Sequence, residues 1–371
     1  MKITQVRSVH VRPPIPTPIG VGSWVNTGRE FVLLWVDTDE GITGAGFTYG
    51  GYSPGQAKIL SDILNDLLAP LVIGEDPRRT EYLWEKMYRQ QLMLSRRGAW
   101  VWALSAMDIA FWDIKAKAAG EPLARLLGGC LDELPAYGTC GYYRDGWTLV
   151  DLRKEIERHV AAGLDAVKLK VGALDPHDDA ERVRVAREVL GPKRRLAVDA
   201  NNGWKDHMTA LRAVRLMEEY DLWWVEEPIA LDDFAGAAKL AEAIDPPLVN
   251  GEQAVTRWDH RELLRQGAAE ILQLDATMAG GISEWMRSAH TAQTFDTPVV
   301  PVWFHNLHIH LAAAVPNCLT VEYFLPSEGT FPFEELLEEP LPLHKGSIRV
   351  PDRPGHGIAF DAAKVAKYRM G

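Results

Sequence analysis

From residue 133 onward the chain repeats one unit, a short apolar run followed by an amphipathic helical segment. The spacing predicts strands at 134–140, 166–172, 195–200, 222–227, 247–252, 270–275, 298–303 and 318–324. Helical periodicity fills the intervals near 148–162, 176–190, 207–220, 232–244, 256–267, 281–295 and 306–314. A strand, a helix and a second parallel strand need a right-handed crossover, and eight strands joined this way close into a barrel with helices outside. An open doubly wound sheet is the competing arrangement. It calls for a G-x-G-x-x-G loop after an early strand, and Cys140-Gly141-Tyr142-Tyr143-Arg144 is not one.

Ahead of the barrel the grammar differs. Residues 2–12, 31–37 and 43–48 read as strands, with Asp39-Glu40-Gly41 as a turn signal. Helical patterns follow near 54–70, 77–94 and 99–118, and in the last Ala103, Met107, Ala110, Phe111 and Ile114 keep the spacing of a packed helix. Strands followed by helices indicate a small α+β domain. Beyond 330 the chain carries Pro332, Pro340, Pro342, Pro351 and Pro354, so this tail is expected to leave the barrel and pack back on the N-terminal domain. The expected division is 1–125, 126–328 and 329–371, which suits a length of 371 residues at ~150 residues per domain.

Charge narrows the partners. Lys+Arg 40 against Asp+Glu 51 gives a net charge of −11, without the basic footprint of a nucleic-acid or anionic-membrane binder. Cys130, Cys140 and Cys318 form neither a disulfide framework nor a metal finger, and suit a reducing compartment. Met1 to Arg7 alternates like a strand rather than a signal peptide, and no apolar run approaches the ~18 residues of a membrane span, so a cytoplasmic protein is expected. The 13 tryptophans are compatible with buried subunit contacts, and a homo-oligomer is expected.

In a barrel, side chains from different strands converge above the packed interior only at the C-terminal strand ends. Asp199, Glu226, Glu252 and Asp275 each end such a run, spaced 27, 26 and 23 residues apart. A single strand-end carboxylate is as readily a helix cap, but several at the period of the unit converge. Left uncompensated they would repel and take up protons. A divalent cation relieves this, and three carboxylates plus water suit Mg²⁺, which assigns Asp199, Glu226 and Glu252 as metal ligands. Glu227 has the opposite pleat parity and a supporting role. Lys168 and Lys170, two apart on one strand, point to the same side. Neighbouring ammonium groups depress each other's pKa, and a lysine so tuned can remove a proton. A base beside a metal suggests proton abstraction next to a bound carboxylate, with metal and lysines holding the enediolate charge.

These residues carry a family resemblance. Lys168-Leu169-Lys170, Asp199-Ala200-Asn201, Glu226-Glu227-Pro228, Gly251-Glu252, and Asp275 followed by Gly280-Gly281-Ile282 resemble the enolase superfamily, specifically its mandelate racemase subgroup. The stretch Ala106-Met107-Asp108-Ile109-Ala110-Phe111-Trp112-Asp113 leading to Leu126-Leu127-Gly128-Gly129 resembles the end of that family's capping domain. The resemblance implies an α/β fold, a modified TIM barrel of the (β/α)7β type with an α+β capping domain, using Mg²⁺ to abstract the proton α to a carboxylate. A Glu third ligand with Asp at the next strand end is similar to the racemase and acid-sugar dehydratase branch. The expected activity is dehydration of a sugar acid, a small-molecule carboxylate, to a 2-keto-3-deoxy acid; a racemase or epimerase and a non-catalytic metal-binding barrel stand as alternatives. In this reading Lys170 is the base, Lys168 supports the metal-bound carboxylate, and Glu322, at the end of strand eight, is the electrophile, which would have to be protonated to donate.

One position departs from the subgroup. Its members pair the sixth-strand Asp with a His at the end of strand seven, and ungapped counting from His310-Leu311-Ala312 puts Val302 there. Either His305 reaches Asp275 through a rearranged loop, or that dyad is absent and Lys170 with the metal does most of the work. His308 and His310 fall on a helix and read as packing or capping residues. A racemase needs a base on each face, so losing one favours dehydration. Substrate contacts are expected from Asn201 and from two capping-domain loops near 14–29 and 47–53, with Trp24 and Tyr49 as candidates.

Overall fold

The computed structural model describes residues 1–370. Three strands open the chain, β1 (Ile3–Val11), β2 (Glu30–Thr38) and β3 (Thr43–Gly51), paired antiparallel in the order β1-β2-β3. Alternation along β2 feeds two cores. Val32, Leu34 and Val36 face the helix Ala99–Ala119, while Phe31 and Leu33 join Phe47 on the side toward the barrel. That helix is buried nearly all round, sandwiched between sheet and barrel. Gly44 and Gly46 let it approach: a Cβ at either would lie 2.3 Å from the Ala110 carbonyl oxygen or 2.0 Å from that of Ala106. Pairing of Tyr49 with Phe31 and of Gly51 with Glu30 carries β3 on to Gly51, where a strand at 43–48 and a loop at 47–53 were expected. The helix expected at 54–70 is real but interrupted, α-helical over Gln56–Asp62 and Ala69–Val72 with a wider π turn over Ile63–Leu68 between them.

The second sheet is all parallel along its path. Its strands are β4 (Glu133–Cys140), β5 (Ala166–Lys170), β6 (Arg195–Asp199), β7 (Leu222–Glu226), β8 (Leu248–Asn250), β9 (Ile271–Leu274), β10 (Val299–Pro301) and β11 (Val321–Tyr323). They pair in chain order from β10 back to β4, β11 docks on the free side of β4, and a Val299↔Cys318 bridge brings the two ends together. The result is the expected near-closed barrel with helices outside and an antiparallel capping domain ahead of it. Inside, Tyr137, Ala166, Ala197, Trp224, Val249, Ile271 and Val300 fill the lumen, while Val167, Leu169, Leu196 and Val198 of the opposite parity face the helices.

The tail packs back on the cap at several points: Phe331 and Phe333 lie edge-on to Phe31, and His356 N donates to Asp113 Oδ1 at 3.1 Å. Met370 N donates to the His10 carbonyl on β1, but Ser347–Arg349 pairs antiparallel with β4, so part of the tail adds to the barrel instead. The pairing satisfies backbone groups at the start of β4 that would otherwise form an open edge.

Cap and barrel are fastened just after β9. Trp84 Nε1 donates to the Gly280 carbonyl at 2.8 Å and Gly280 N to Ser105 Oγ at 2.9 Å. Ser283 donates to Asp108 through both N (2.8 Å) and Oγ (2.7 Å), and Thr48 Oγ1 to the Thr277 carbonyl at 2.7 Å. Gly281 has φ +86°, and a Cβ there would fall 2.4 Å from Asp108 Cβ, so only glycine fits.

Candidate active site

Parity carries the strand-end residues where the sequence reading puts them. Lys168 and Lys170 follow Ala166 into the lumen, Asp199 follows Ala197, and Glu226 follows Trp224. The two lysines then separate in depth. Lys168, 1% exposed, donates to Glu226 Oε1 at 2.5 Å, lies 3.0 Å from Glu322 Oε1, and sits 5.5 Å from the centre of the Tyr137 ring. Lys170, 5% exposed, donates to Asp199 Oδ2 at 2.5 Å and reaches the cavity above.

The lysine pKa values move opposite to expectation. Burial alone would lower both, but Glu226 and Glu322 around Lys168, and Asp199 beside Lys170, outweigh it and raise them. Neighbouring carboxylates, not the neighbouring ammonium, set their charge. Asp199 is itself held down at about 2, because Lys170 and Lys168 overcome the cost of its burial. Glu252, buried and facing Asp199, is pushed up to about 7, and burial drives Glu226 and Glu227 upward as well. Five buried carboxylates, Asp199, Glu226, Glu227, Glu252 and Glu322, thus share two ammonium groups.

That imbalance is the test of fit for a metal, and the donor set passes it: all oxygen, anionic, under-compensated and free of thiolate or imidazole. Glu227 Oε1 is buried without a partner, while its Oε2 accepts from Asn202 Nδ2 and Gln253 Nε2. Among the described residues, the one trio already bringing ligand atoms within 4.8 Å of one another is Glu155, His159 and Glu328, on the outer face of β4. The strand-end oxygens are more widely set, with the two ammonium groups among them.

The acid/base candidates on the far side are differently engaged. Asp275 caps the turn Ala276–Ala279, accepting from Thr277 N at 2.7 Å and Thr277 Oγ1 at 2.9 Å, and burial pushes its pKa up to about 8. His305 turns away from it to Glu334 Oε1 at 2.8 Å and packs on Tyr323. The histidine that does approach Asp275 is His308, at 3.5 Å. Glu322 accepts from Thr139 Oγ1 and lies 3.0 Å from Lys168 Nζ through Oε1, and accepts from Trp303 N at 2.6 Å through Oε2. The cause lies in Trp303 and Phe304, whose φ values of +56° and +29° turn the chain after β10 and alter the parity that counting assumes.

The cavity holds about 300 Å³ and is walled by both domains: Trp24, Asn26, Arg29, Tyr49, Tyr52 and Trp102 from the cap, Tyr142, Lys170, Asn201, Glu252, Gln253, Met278 and Trp303 from the barrel. Trp24, Tyr49 and Asn201, the substrate-contact candidates, all line it. Arg29, Trp102, Tyr142 and Trp303 were not singled out from sequence. A larger hollow of about 870 Å³ lies against helices Leu149–Ala161 and Pro176–Leu190, lined by Tyr143, Arg144, Trp147 and Arg182. It holds none of the strand-end acids, so the smaller cavity is the one beside the chemistry.

Comparison with known proteins agrees with this architecture. The enolase C-terminal domain-like family matches residues 151–364, and the N-terminal domain of mandelate racemase / muconate lactonizing enzyme matches residues 3–128. The arabinonate dehydratase of Saccharolobus solfataricus is 35% identical over 349 residues, covering 92% of this chain and 91% of that protein. The 3,6-anhydro-alpha-L-galactonate cycloisomerase of Streptomyces coelicolor is 31% identical and covers 100% of both chains. Among solved structures, L-talarate dehydratase from Polaromonas sp. JS666, complexed with Mg and L-glucarate, superposes with a TM-score of 0.91 at 33% identity, covering 100% of this chain and 98% of that one.

Proposed function

As the chain belongs to the mandelate racemase / muconate lactonizing enzyme family of enolase-like barrels, we propose that it is a Mg²⁺-dependent hydro-lyase acting on a sugar acid. The observation that carries this reading is the asymmetry of the cavity: of the lysine pair Lys170 lines it, whereas Asp275, His305 and His308, the candidates for a second base, do not. Relatives named as sugar-acid dehydratases support the same class.

Asp199, Glu226 and Glu252 are the residues that would hold Mg²⁺, whose charge would favour build-up of negative charge on the substrate carboxylate. Lys170 takes the proton from the carbon α to that carboxylate, and the C–H electron pair passes into the carboxylate as an enediolate. For this Lys170 must be neutral. Its present charge is maintained chiefly by Asp199; were that carboxylate engaged in holding a metal, burial and the neighbouring Lys168 would weigh more heavily and lower its pKa. Collapse of the enediolate expels the β-hydroxyl. Lys170, now protonated and on the same face, returns its proton to the departing oxygen, so water leaves and the enol relaxes to a 2-keto-3-deoxy acid. Lys168, anchored between Glu226 and Glu322, stays charged beneath the reacting carboxylate.

Incubation of the protein with Mg²⁺ and a panel of sugar acids tests this directly. A 2-keto product trapped as its semicarbazone is expected. Solvent deuterium entering the α-position without loss of water would replace the lyase reading by an epimerase, and neither event would leave a binding barrel.

A further inference from the structure

Arg29 is an anomaly in this cavity. It precedes β2 and is 3% exposed, yet its one hydrogen bond in the structure is Nε to the Thr330 carbonyl at 2.8 Å. No carboxylate among the described residues pairs with it. Its neighbour Glu30 is taken by Arg12 at 3.4 Å and by the N–H groups of Gly55 and Ala57. The guanidinium instead lies 5.2 Å from the Trp303 ring, 5.4 Å from Phe331 and 6.0 Å from Tyr49. Aromatic faces return only part of the cost of burying a cation without an anion. Three polar atoms on the same wall are also buried without partners: Tyr49 Oη, Trp24 Nε1 and Asn26 Oδ1. Tyr142 stands between the two cations of the cavity, its ring 5.3 Å from Lys170 Nζ and within the field of Arg29.

A guanidinium fork with no carboxylate partner, lining the same cavity as the reacting lysine, matches a second carboxylate. We propose that Arg29 receives the distal carboxylate of the substrate, so that this protein acts on sugar diacids (aldarates) in preference to sugar monoacids (aldonates). The inference rests on the lyase reading above and specifies its substrate class. One carboxylate lies at the Asp199–Glu226–Glu252 end, the other at Arg29, and the hydroxylated carbons between them meet Trp24, Asn26 and Tyr49. A monoacid bound the same way leaves Arg29 buried with no counter-charge, which discriminates against it.

The test compares hexaric and hexonic acids of matched stereochemistry, with Mg²⁺, in the wild-type protein and in Arg29→Gln and Arg29→Lys. In the wild type kcat/KM for the preferred diacid is expected to exceed that for its monoacid by about 100-fold. Arg29→Gln should collapse that ratio mainly through KM, and Arg29→Lys, which keeps the charge but not the fork, should retain part of it. A second readout avoids turnover: in Lys170→Ala the diacid should raise the melting temperature, and in Lys170→Ala/Arg29→Gln it should not. Better turnover of monoacids, or an unchanged ratio in a folded Arg29→Gln protein, overturns the Arg29 assignment and leaves the lyase intact. If neither acid class yields a 2-keto product, the proposed function itself fails, and the diacid preference with it.

Discussion

His308 Nε2 lies 3.5 Å from Asp275 Oδ1, and both groups are committed to the backbone around them. His308 Nδ1 donates to the Trp303 carbonyl at 3.0 Å while Nε2 accepts from Ala276 N at 3.0 Å, and burial holds the ring neutral, with its pKa lowered to about 4. Neither side chain lines the cavity. The expected outcome is one-sided chemistry: substrate recovered from partial turnover in deuterium oxide keeps its configuration at the α-carbon, and only diastereomers with the α-hydrogen and β-hydroxyl on one face lose water. Epimerised recovered substrate in an NMR spectrum would refute this.

The two lysines should fail differently when replaced. Lys170→Ala is expected to lower kcat by ~10²–10⁴ with a modest change in melting temperature. Lys168→Met strips Glu226 and Glu322 of their shared cation, which in a buried network costs about 3–5 kcal/mol. Thermal melts beside steady-state rates separate the two, and equal loss of stability in both variants would contradict the difference in depth.

Mg²⁺ should stabilise the fold because it relieves the excess of buried carboxylates over ammonium groups. Binding at a hundredfold excess over Kd adds about 2.7 kcal/mol, a rise of several degrees in melting temperature. The rise should vanish in Glu226→Gln/Glu252→Gln. Persistence of the full shift in that double variant would place the cation elsewhere, with Glu155, His159 and Glu328 the first place to look.

Asp108 predicts a pH signature far from the chemistry. Fully buried, it is pushed up to about 7 by burial, despite its bonds from Ser283. The folded state therefore holds a proton that the unfolded chain releases near pH 3.8. Its contribution is present at low pH and is lost as pH rises toward about 7, by up to ~1.4 kcal/mol per pH unit. Asp108→Asn, an amide that stays neutral, should flatten this part of the profile. The check is melting temperature from pH 5 to 8 for both proteins, and parallel curves would sink the idea.

Much of this was legible from sequence because period and parity are local. Lumen-facing Lys168, Lys170, Asp199 and Glu226 follow from counting along apolar runs. Parity fails where the backbone leaves the extended region: Trp303 and Phe304 adopt positive φ, so no count along the strand could place His305. Asp275 shows the other limit, since a capping carboxylate and an inward one share the same spacing; Thr277, two residues on, is the local cue for the cap. Gly44 and Gly46 let a helix approach the strand closely, which only the packed helix reveals. Arg29 belongs to no periodic segment, and its significance is an absence of partners that exists only in three dimensions.

The fastening at Gly280 and Gly281 has a kinetic consequence. Bonds from Trp84, Ser105, Asp108 and Thr48 bind the cap to the turn directly after β9, so the cap cannot swing away as one rigid body without breaking several buried hydrogen bonds together. The short hairpin of Ile19–Gly20 and Val25–Asn26 is tied to the barrel as well, by Gly20 and Tyr143 backbone bonds and by Ser23 Oγ on the Asn201 carbonyl. Any loosening of that attachment would disturb Trp24, whose stacking on Tyr52 offers an intrinsic fluorescence reporter of movement at this wall of the cavity.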